Sequence, residues 1–269
     1  MSPNSFIKVL NPHANPSRPR RALSNLINKA LLFPAGLVGH IEDCVVEETL
    51  RGKGLGRIVV ENLKRLARET GCYKCILDCA EKNVPFYERC GFKRKEVMMA
   101  RYFGRESVEA NPTGVATFQS QSLGDGLVVR NLKASDYNNG FLHLLSQLTS
   151  VGDIPEAFFN KRLQQIEQSN RQHMLVIEDQ GKVVATATLL IERKFIHEAG
   201  FAAHIEDVVS DKSVRGKGLG KKIIESLVLL AESCGCYKVI LDCEEHNIKF
   251  YEKCGFALKE VEMACYFDR

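Results

Sequence analysis

The chain has 269 residues, 45% of them hydrophobic and 26% charged, with 37 Lys+Arg against 33 Asp+Glu. That length can bury one large core or two smaller ones, and the composition is ordinary for a globular protein. A positive excess this small and this dispersed argues against nucleic acid as a partner, and no apolar run approaches a membrane span.

The chain opens without acids: Lys8, Arg18, Arg20, Arg21 and Lys29 all precede Glu42, the first acidic residue. Pro3, Pro12, Pro16 and Pro19 spoil the amphipathic helix of a transit peptide. Residues 1–28 therefore read as a disordered basic tail, and the cytoplasm is the expected location. Residues 29–103 read as a partial repeat. From His40 the order is a strand, the glycine loop RGKGLG, a helix with Val59, Leu63, Leu66 and Thr70 at helical spacing, a strand, a short helix and a last strand. Cys72-x-x-Cys75 is half of a metal spacing, but no second pair follows and a closed zinc site needs four ligands. The ten cysteines read instead as reduced, buried small hydrophobes, and no metal is expected.

Residues 104–127, rich in Ser, Gln, Gly and Thr, read as a linker. Residues 128–269 form the complete copy. LVVRNL reads as a strand, followed by a helix N-capped by Ser135 or Asp136, with Phe141, Leu144, Leu145 and Leu148 on its apolar face. Pro155 opens a second helix through Phe158, Phe159, Leu163 and Ile166. A hairpin follows around Gln180-Gly181. From His204 the earlier pattern returns: residues 40–103 align with 204–267 without a gap, at a constant offset of 164, with 38 identities in 64 positions. In this copy Ile223, Leu227, Leu230 and Cys234 mark the helix, and Gly255 is placed to end the short one. The half copy lacks a counterpart of the sheet that precedes His204. Mixed α+β around one sheet is the expected class.

Both copies run an acidic strand into Arg-Gly-Lys-Gly-Leu-Gly at the start of a helix. Glycines allow positive φ and close approach to backbone N–H groups, and a helix N-terminus suits a phosphate. The Walker and dinucleotide fingerprints have different spacings; a plain strand-to-helix turn is the alternative, and repetition of all six residues argues against it.

This arrangement, with NIKFYEKCGF some thirty residues on, resembles the acetyl-CoA motif of the GNAT acyltransferase superfamily. LTSVG, IERKFIH, HIEDVVS, RGKGLGK, GCYKVILDCEEHNIKFYEKCGF and VEM together resemble one member family, the glucosamine 6-phosphate N-acetyltransferases. The resemblance implies a GNAT-type, mostly antiparallel central sheet flanked by helices, here preceded by an N-terminal half-repeat. It implies acetyl transfer from acetyl-CoA to the amine of glucosamine 6-phosphate, giving the N-acetyl sugar phosphate of UDP-N-acetylglucosamine synthesis, by direct attack in a ternary complex. By the same resemblance Val208, Val209 and Ser210 face the pantetheine arm and thioester. Gly216, Lys217, Gly218, Leu219, Gly220 and Lys221 hold the diphosphate, and Asn247 holds the coenzyme arm. Asp242 orients and deprotonates the amine, Tyr251 donates to the departing thiolate, and Glu206 and Asp207 touch the sugar. Strand alternation would point one of those two acids away. Thr149, Lys194, Phe195, Ile196 and His197 are assigned to the substrate.

Members of this family usually dimerise and close the sugar pocket with a basic residue from the partner's last strand. Here Cys265 and Tyr266 stand at that place in the full copy, while the half copy has Arg101. The half copy keeps Arg51–Gly56, Asp78, Asn83 and Tyr87, so it can hold a coenzyme; with Ala30-Leu-Leu-Phe opposite Lys194–His197 it is expected to catalyse nothing unaided. A homodimer, or an internal pseudo-dimer between the copies, is expected. Other amine acceptors (a polyamine or a protein) and a non-catalytic coenzyme-binding module are the alternatives.

Overall fold

A computed structural model describes residues 4–6, 22–30, 37–104, 111 and 113–267. Most of the expected basic tail, the stretch Leu31–Phe33 and part of the expected linker lie outside the described residues. The chain divides into two compact units, residues 1–97 with 260–269, and residues 98–259.

Unit 1 begins with β1 (Asn4–Phe6), β2 (Ala22–Ala30) and β3 (Leu37–Val46). β2 pairs antiparallel with both neighbours, so the half copy does have strands ahead of its shared core, and β2 starts inside the stretch read as a tail. α1 (Leu55–Glu69), β4 (Cys72–Cys79) and α2 (Val84–Arg89) follow. Val59, Val60, Leu63 and Ala67 recur at three- and four-residue spacing and line one buried face of α1. Thr70 ends the helix by donating its N–H to Leu66 O, with Gly71 beyond it at φ +83°. β5 (Lys93–Tyr102) comes next, and its residues from Met98 onward belong to unit 2.

Unit 2 continues with β6 (Gln121–Gly124), β7 (Leu127–Asn131), α3 (Phe141–Leu145), α4 (Glu156–Ser169), β8 (Gln172–Asp179), β9 (Lys182–Arg193), β10 (Phe201–Ser210), α5 (Leu219–Ser233), β11 (Cys236–Cys243) and α6 (Ile248–Glu252). Its strand order is β5-β11-β10-β9-β8-β7-β6; β10 and β11 are parallel, and the pairs from β10 out to β6 are antiparallel. Gln180 and Gly181 both take positive φ, which closes the β8–β9 hairpin where the sequence placed it. The helix expected after β7 is shorter and broken. Residues Ala134–Tyr137 form a single tight turn because Asp136 is taken by the Arg130 guanidinium, two bonds of 2.7 and 2.8 Å, both side chains buried. Leu148 lies beyond α3 and is exposed.

The stretch read as a linker is partly structured. β6 pairs with β7, Phe118 is buried, and the Asn111 side chain donates to Ser233 O at 2.7 Å. All ten cysteines are free, and nine are buried. Burial pushes the Cys75 thiol up to about 12 and those of Cys79 and Cys234 to about 11, which keeps them protonated and apolar at neutral pH.

The last strand of the chain, β12 (Ala257–Tyr266), enters unit 1 at Glu260. It pairs antiparallel with β4 from Val261↔Cys79 to Tyr266↔Lys74, and Val261, Met263, Cys265 and Phe267 complete that unit's core. Unit 2 is completed by the end of β5, whose Met98 and Ala100 pack with Ile240. The two junctions match: Phe267 N–H donates to Tyr73 O at 2.9 Å in unit 1, and Phe103 N–H donates to Tyr237 O at 3.0 Å in unit 2. Each unit thus contains the end of the last strand of the other unit's repeat, so compact units and sequence repeats do not share boundaries.

Candidate active site

In unit 2 the parallel strands β10 and β11 pair from Phe201↔Cys236 to His204↔Ile240. Both run on past that point, β10 to Ser210 and β11 to Cys243, so the stretch Glu206–Ser210 lies beyond the paired segment. On the β9 side the register shifts between Glu206 and Val209, and Asp207 sits there at φ +54°. Aspartate tolerates the left-handed region better than most side chains, and a bulge of this kind re-aims the residues around it. It also breaks the alternation expected of Glu206 and Asp207: both are half-buried, as are Val208 and Ser210, while Val209 is buried.

A tight turn, Lys212–Val214, leads from β10 into the glycine loop. Gly216 and Gly218 take φ +83° and +75°, with nothing within 4 Å of a Cβ at either. Backbone conformation rather than crowding calls for glycine there. Gly220 differs: its Cβ would lie 3.3 Å from Phe250 Cζ and 3.5 Å from Ser210 Oγ. That approach brings the end of β10, the first turn of α5 and the helix of Tyr251 to one place. Lys217 and Lys221 flank the loop and are exposed, while Leu219 is buried. The first N–H groups of α5 have no partner within the helix.

Asp211, which replaces Glu47 of the first copy, and Gln147, which lies outside the repeat, anchor this loop. Asp211 accepts from Ser213 N–H at 2.8 Å, Ser213 Oγ at 2.6 Å and Gln147 Nε2 at 3.0 Å, while Gln147 Oε1 accepts from Lys212 N–H. The Ser213 hydroxyl and amide, aided by Gln147, hold the Asp211 carboxyl down at about 2. Asp-x-Ser is a readable turn signal. Gln147 carries none, being 64 residues away.

Asp242 is half-buried on β11, with its Oδ1 buried. Asn247 is half-buried at the start of α6, and Tyr251 is buried, its ring edge-on to Phe250 at 4.9 Å. The residues assigned to the substrate behave differently from one another. Thr149 is exposed. Lys194 is buried on Glu192, Nζ to Oε1 2.6 Å, and Glu192 Oε2 lies 3.0 Å from His204 Nε2, all three buried. The one cation among the residues assigned to the substrate that carries charge at every working pH is therefore held in a buried ion pair. Phe195 is 77% exposed and Ile196 half exposed. His197, Glu198 and Ala199 all take φ between +50° and +61°, a strained left-handed turn closed by Lys194 N–H on Gly200 O. His197 is exposed yet stacks on Tyr237, centroids 4.1 Å apart.

Unit 1 repeats the loop. Gly52 and Gly54 take φ +77° and +75°, Asp43 sits at +54°, and a Cβ on Gly56 would meet Phe86 at 3.2 Å. β3 and β4 likewise stop pairing at His40↔Ile76.

A model of the acetyltransferase (GNAT) family matches residues 22–92 and 139–256. The chain belongs to the GNAT acetyltransferase family. Among similar proteins, a glucosamine 6-phosphate N-acetyltransferase of Arabidopsis thaliana is 47% identical over 143 residues, 52% of this chain and 96% of that protein. One from Candida albicans is 44% identical over 147 residues, 54% of this chain and 99% of that one. The crystal structure of glucosamine-6-phosphate N-acetyltransferase from Arabidopsis thaliana superposes with TM-score 0.52 and 46% identity, over 53% of this chain and 99% of that one. A GCN5-related N-acetyltransferase from Kribbella flavida matches 91% of this chain and 88% of its own at TM-score 0.52, with 11% identity, a likeness of fold alone. GNAT enzymes use acetyl-CoA as co-substrate. Among the described residues no helix is long and apolar enough to cross a membrane.

Proposed function

We propose that the protein is a glucosamine 6-phosphate N-acetyltransferase with one working site, in unit 2. The observation that carries this is the convergence of Ser210, Gly220 and Phe250 beside the parted ends of β10 and β11, in a chain whose similar proteins bear that name. The amides from Gly216 to Lys221 grip the coenzyme diphosphate. Backbone N–H groups of Val208–Ser210 stabilise the oxyanion of the thioester carbonyl. Asp242 accepts a proton from the sugar ammonium, whose neutral nitrogen then attacks the carbonyl carbon and afterwards gives up a second proton, which replaces the one Tyr251 passes to sulfur. The carbon–sulfur bond breaks, and Tyr251 O–H donates to the leaving thiolate. Asn247 holds the pantetheine arm, and Glu206 and Asp207 orient the sugar. The exchanged last strands make residues 1–103 an internal counterpart of the complete copy, and unit 1 adds no second turnover.

The test is thiol release from acetyl-CoA with glucosamine 6-phosphate, glucosamine or spermidine. Turnover with the sugar phosphate alone is expected, and Asp242→Asn abolishes most of it while coenzyme still binds. One observation favours a second reading, transfer to a different amine: Lys194 is paired with Glu192 rather than presented to an anion. Comparable rates on spermidine would decide for that reading.

A further inference from the structure

Both short tyrosine-bearing helices end in the same turn. In unit 2, Tyr251 O accepts from Cys254 N–H at 2.9 Å and Phe256 N–H at 3.1 Å, with Gly255 at φ +85°; in unit 1, Tyr87 O accepts from Cys90 N–H and Phe92 N–H at the same two distances, with Gly91 at φ +84°. The carbonyl of the cysteine follows the end of the helix, beyond its internal bonds, and needs a donor of its own. The two units supply different ones. In unit 1, Lys64 of α1 donates Nζ to Cys90 O at 2.6 Å, buried and lying over the Phe92 ring. In unit 2 the equivalent of Lys64 is Val228, buried and apolar. Cys254 O accepts instead from Arg101 Nη1 at 3.2 Å. Arg101 reaches unit 2 on β5, a strand of the first repeat, and its own equivalent is Cys265. In both units the cation also lies against the turn glycine, 3.0 Å from the Cβ position of Gly255 and 3.4 Å from that of Gly91.

Two of the differences between the repeats, Lys64/Val228 and Arg101/Cys265, are thus one difference: among the described residues each unit sets one cation on this carbonyl, from a helix in unit 1 and from a strand in unit 2. We infer that Arg101 is a positioning residue for acetyl transfer, which fixes the turn behind Tyr251 and thereby holds the phenol where the thiolate departs. The first repeat contributes to turnover through this one side chain. The inference rests on the reading of Tyr251 as the donor. It assigns Arg101 no contact with substrate, because its guanidinium is turned to a backbone carbonyl.

The experiment uses the full chain and compares Arg101→Cys, Arg101→Lys and the double variant Arg101→Cys/Val228→Lys, which moves the cation to the place unit 1 uses. A hydrogen bond from a charged donor is strong enough for its loss to lower kcat about tenfold. For Arg101→Cys we expect that loss with KM for both substrates unchanged, recovery in Arg101→Lys, and recovery in the double variant. Rates are scaled to the coenzyme-binding fraction, so lost folding does not count as lost turnover. Unchanged kcat in Arg101→Cys would overturn the inference. So would a raised KM for the sugar phosphate at unchanged kcat, which would make Arg101 a substrate contact. If Arg101→Cys does not fold, a folded and active double variant supports the inference, and an inactive folded one defeats it. A readout independent of turnover is the ring-carbon NMR signal of Tyr251, assigned by Tyr251→Phe: it should shift in Arg101→Cys and return in the double variant. A wild type that transfers no acetyl group but shows this shift and return would fail the functional reading and leave the positioning intact.

Discussion

The glycine loops of the two units share six residues and nearly the same backbone angles, but the residue that opens the turn ahead of each loop differs. In unit 2, Asp211 takes three hydrogen bonds and Gln147 ties the loop to the segment after α3. In unit 1 the equivalent residue is Glu47, whose side chain makes no cap bond to the turn Glu48–Leu50. Gln147 has no counterpart there, because it belongs to the part of the fold present once. The comparison teaches that loop geometry follows from local glycines, whereas what holds the turn ahead of the loop comes from residues elsewhere.

The sharpest way to break the comparison is to damage each loop in the same manner. Valine at φ +75° forces the backbone out of the left-handed region, and a displacement of about 1 Å near reacting groups is enough for a loss on the order of a hundredfold. Gly218→Val should lower kcat/KM by about that factor, whereas Gly54→Val should leave turnover within about twofold. Steady-state rates on the two variants check this. Equal losses would mean that unit 1 also turns over substrate.

A second test removes residues 1–110. Unit 2 then loses β5, with the buried Met98 and Ala100 and the Arg101 cap. Losses of several kcal/mol accompany removal of such core side chains, so Tm should fall by about 10 °C. A shorter deletion, of residues 1–92, spares β5 and should recover part of that stability. In the chain lacking 1–110, β12 is free to take the place of β5 beside β11, with Cys265 where Arg101 stood. Cys265→Arg should then raise its activity. Indistinguishable melting curves for the two truncations would remove the strand exchange from the account.

Much of this arrangement is readable from the residues. The repeat, the hairpin at Gln180-Gly181, the loop glycines and the turn at Gly255 all follow from short-range patterns that carry their own physical reason. The destination of each last strand does not. β5 and β12 share Lys-Glu-Val, Met-Ala and Tyr-Phe at matching positions, so either fits either sheet edge, and hydrophobic alternation fixes register without choosing a partner. The paired changes Lys64/Val228 and Arg101/Cys265 were the only trace of the exchange, and they are meaningful only once Cys90 O and Cys254 O are seen. Lys194 was open to a better reading: it follows the last residue of β9 and stands two after Glu192, so period-two alternation carried one residue past the strand already puts them on one face. The bulge at Asp207 had no such signal, since an aspartate in an acidic strand reads as extended.

Smaller effects are expected at the anchor itself. Asp211→Asn replaces one acceptor oxygen by an amide facing Gln147 Nε2, and loosening the loop should raise KM for acetyl-CoA about fivefold. Glu47→Gln should leave it unchanged.

The pH dependence at Asp211 discriminates further. The Asp211 carboxyl titrates at about 2 in the folded protein, against an ordinary value of 3.8. A depressed carboxyl binds its proton more readily in the unfolded chain, so its contribution to stability is complete above about 4 and fades as the pH falls toward 2. The stability gap between wild type and Asp211→Asn, measured by urea denaturation, should be constant from neutral pH to about 4 and close below it. A gap for Asp211→Asn that persists undiminished at pH 2 would mean that shape, and not the charge-assisted bonds from Ser213, is what Asp211 contributes to the loop.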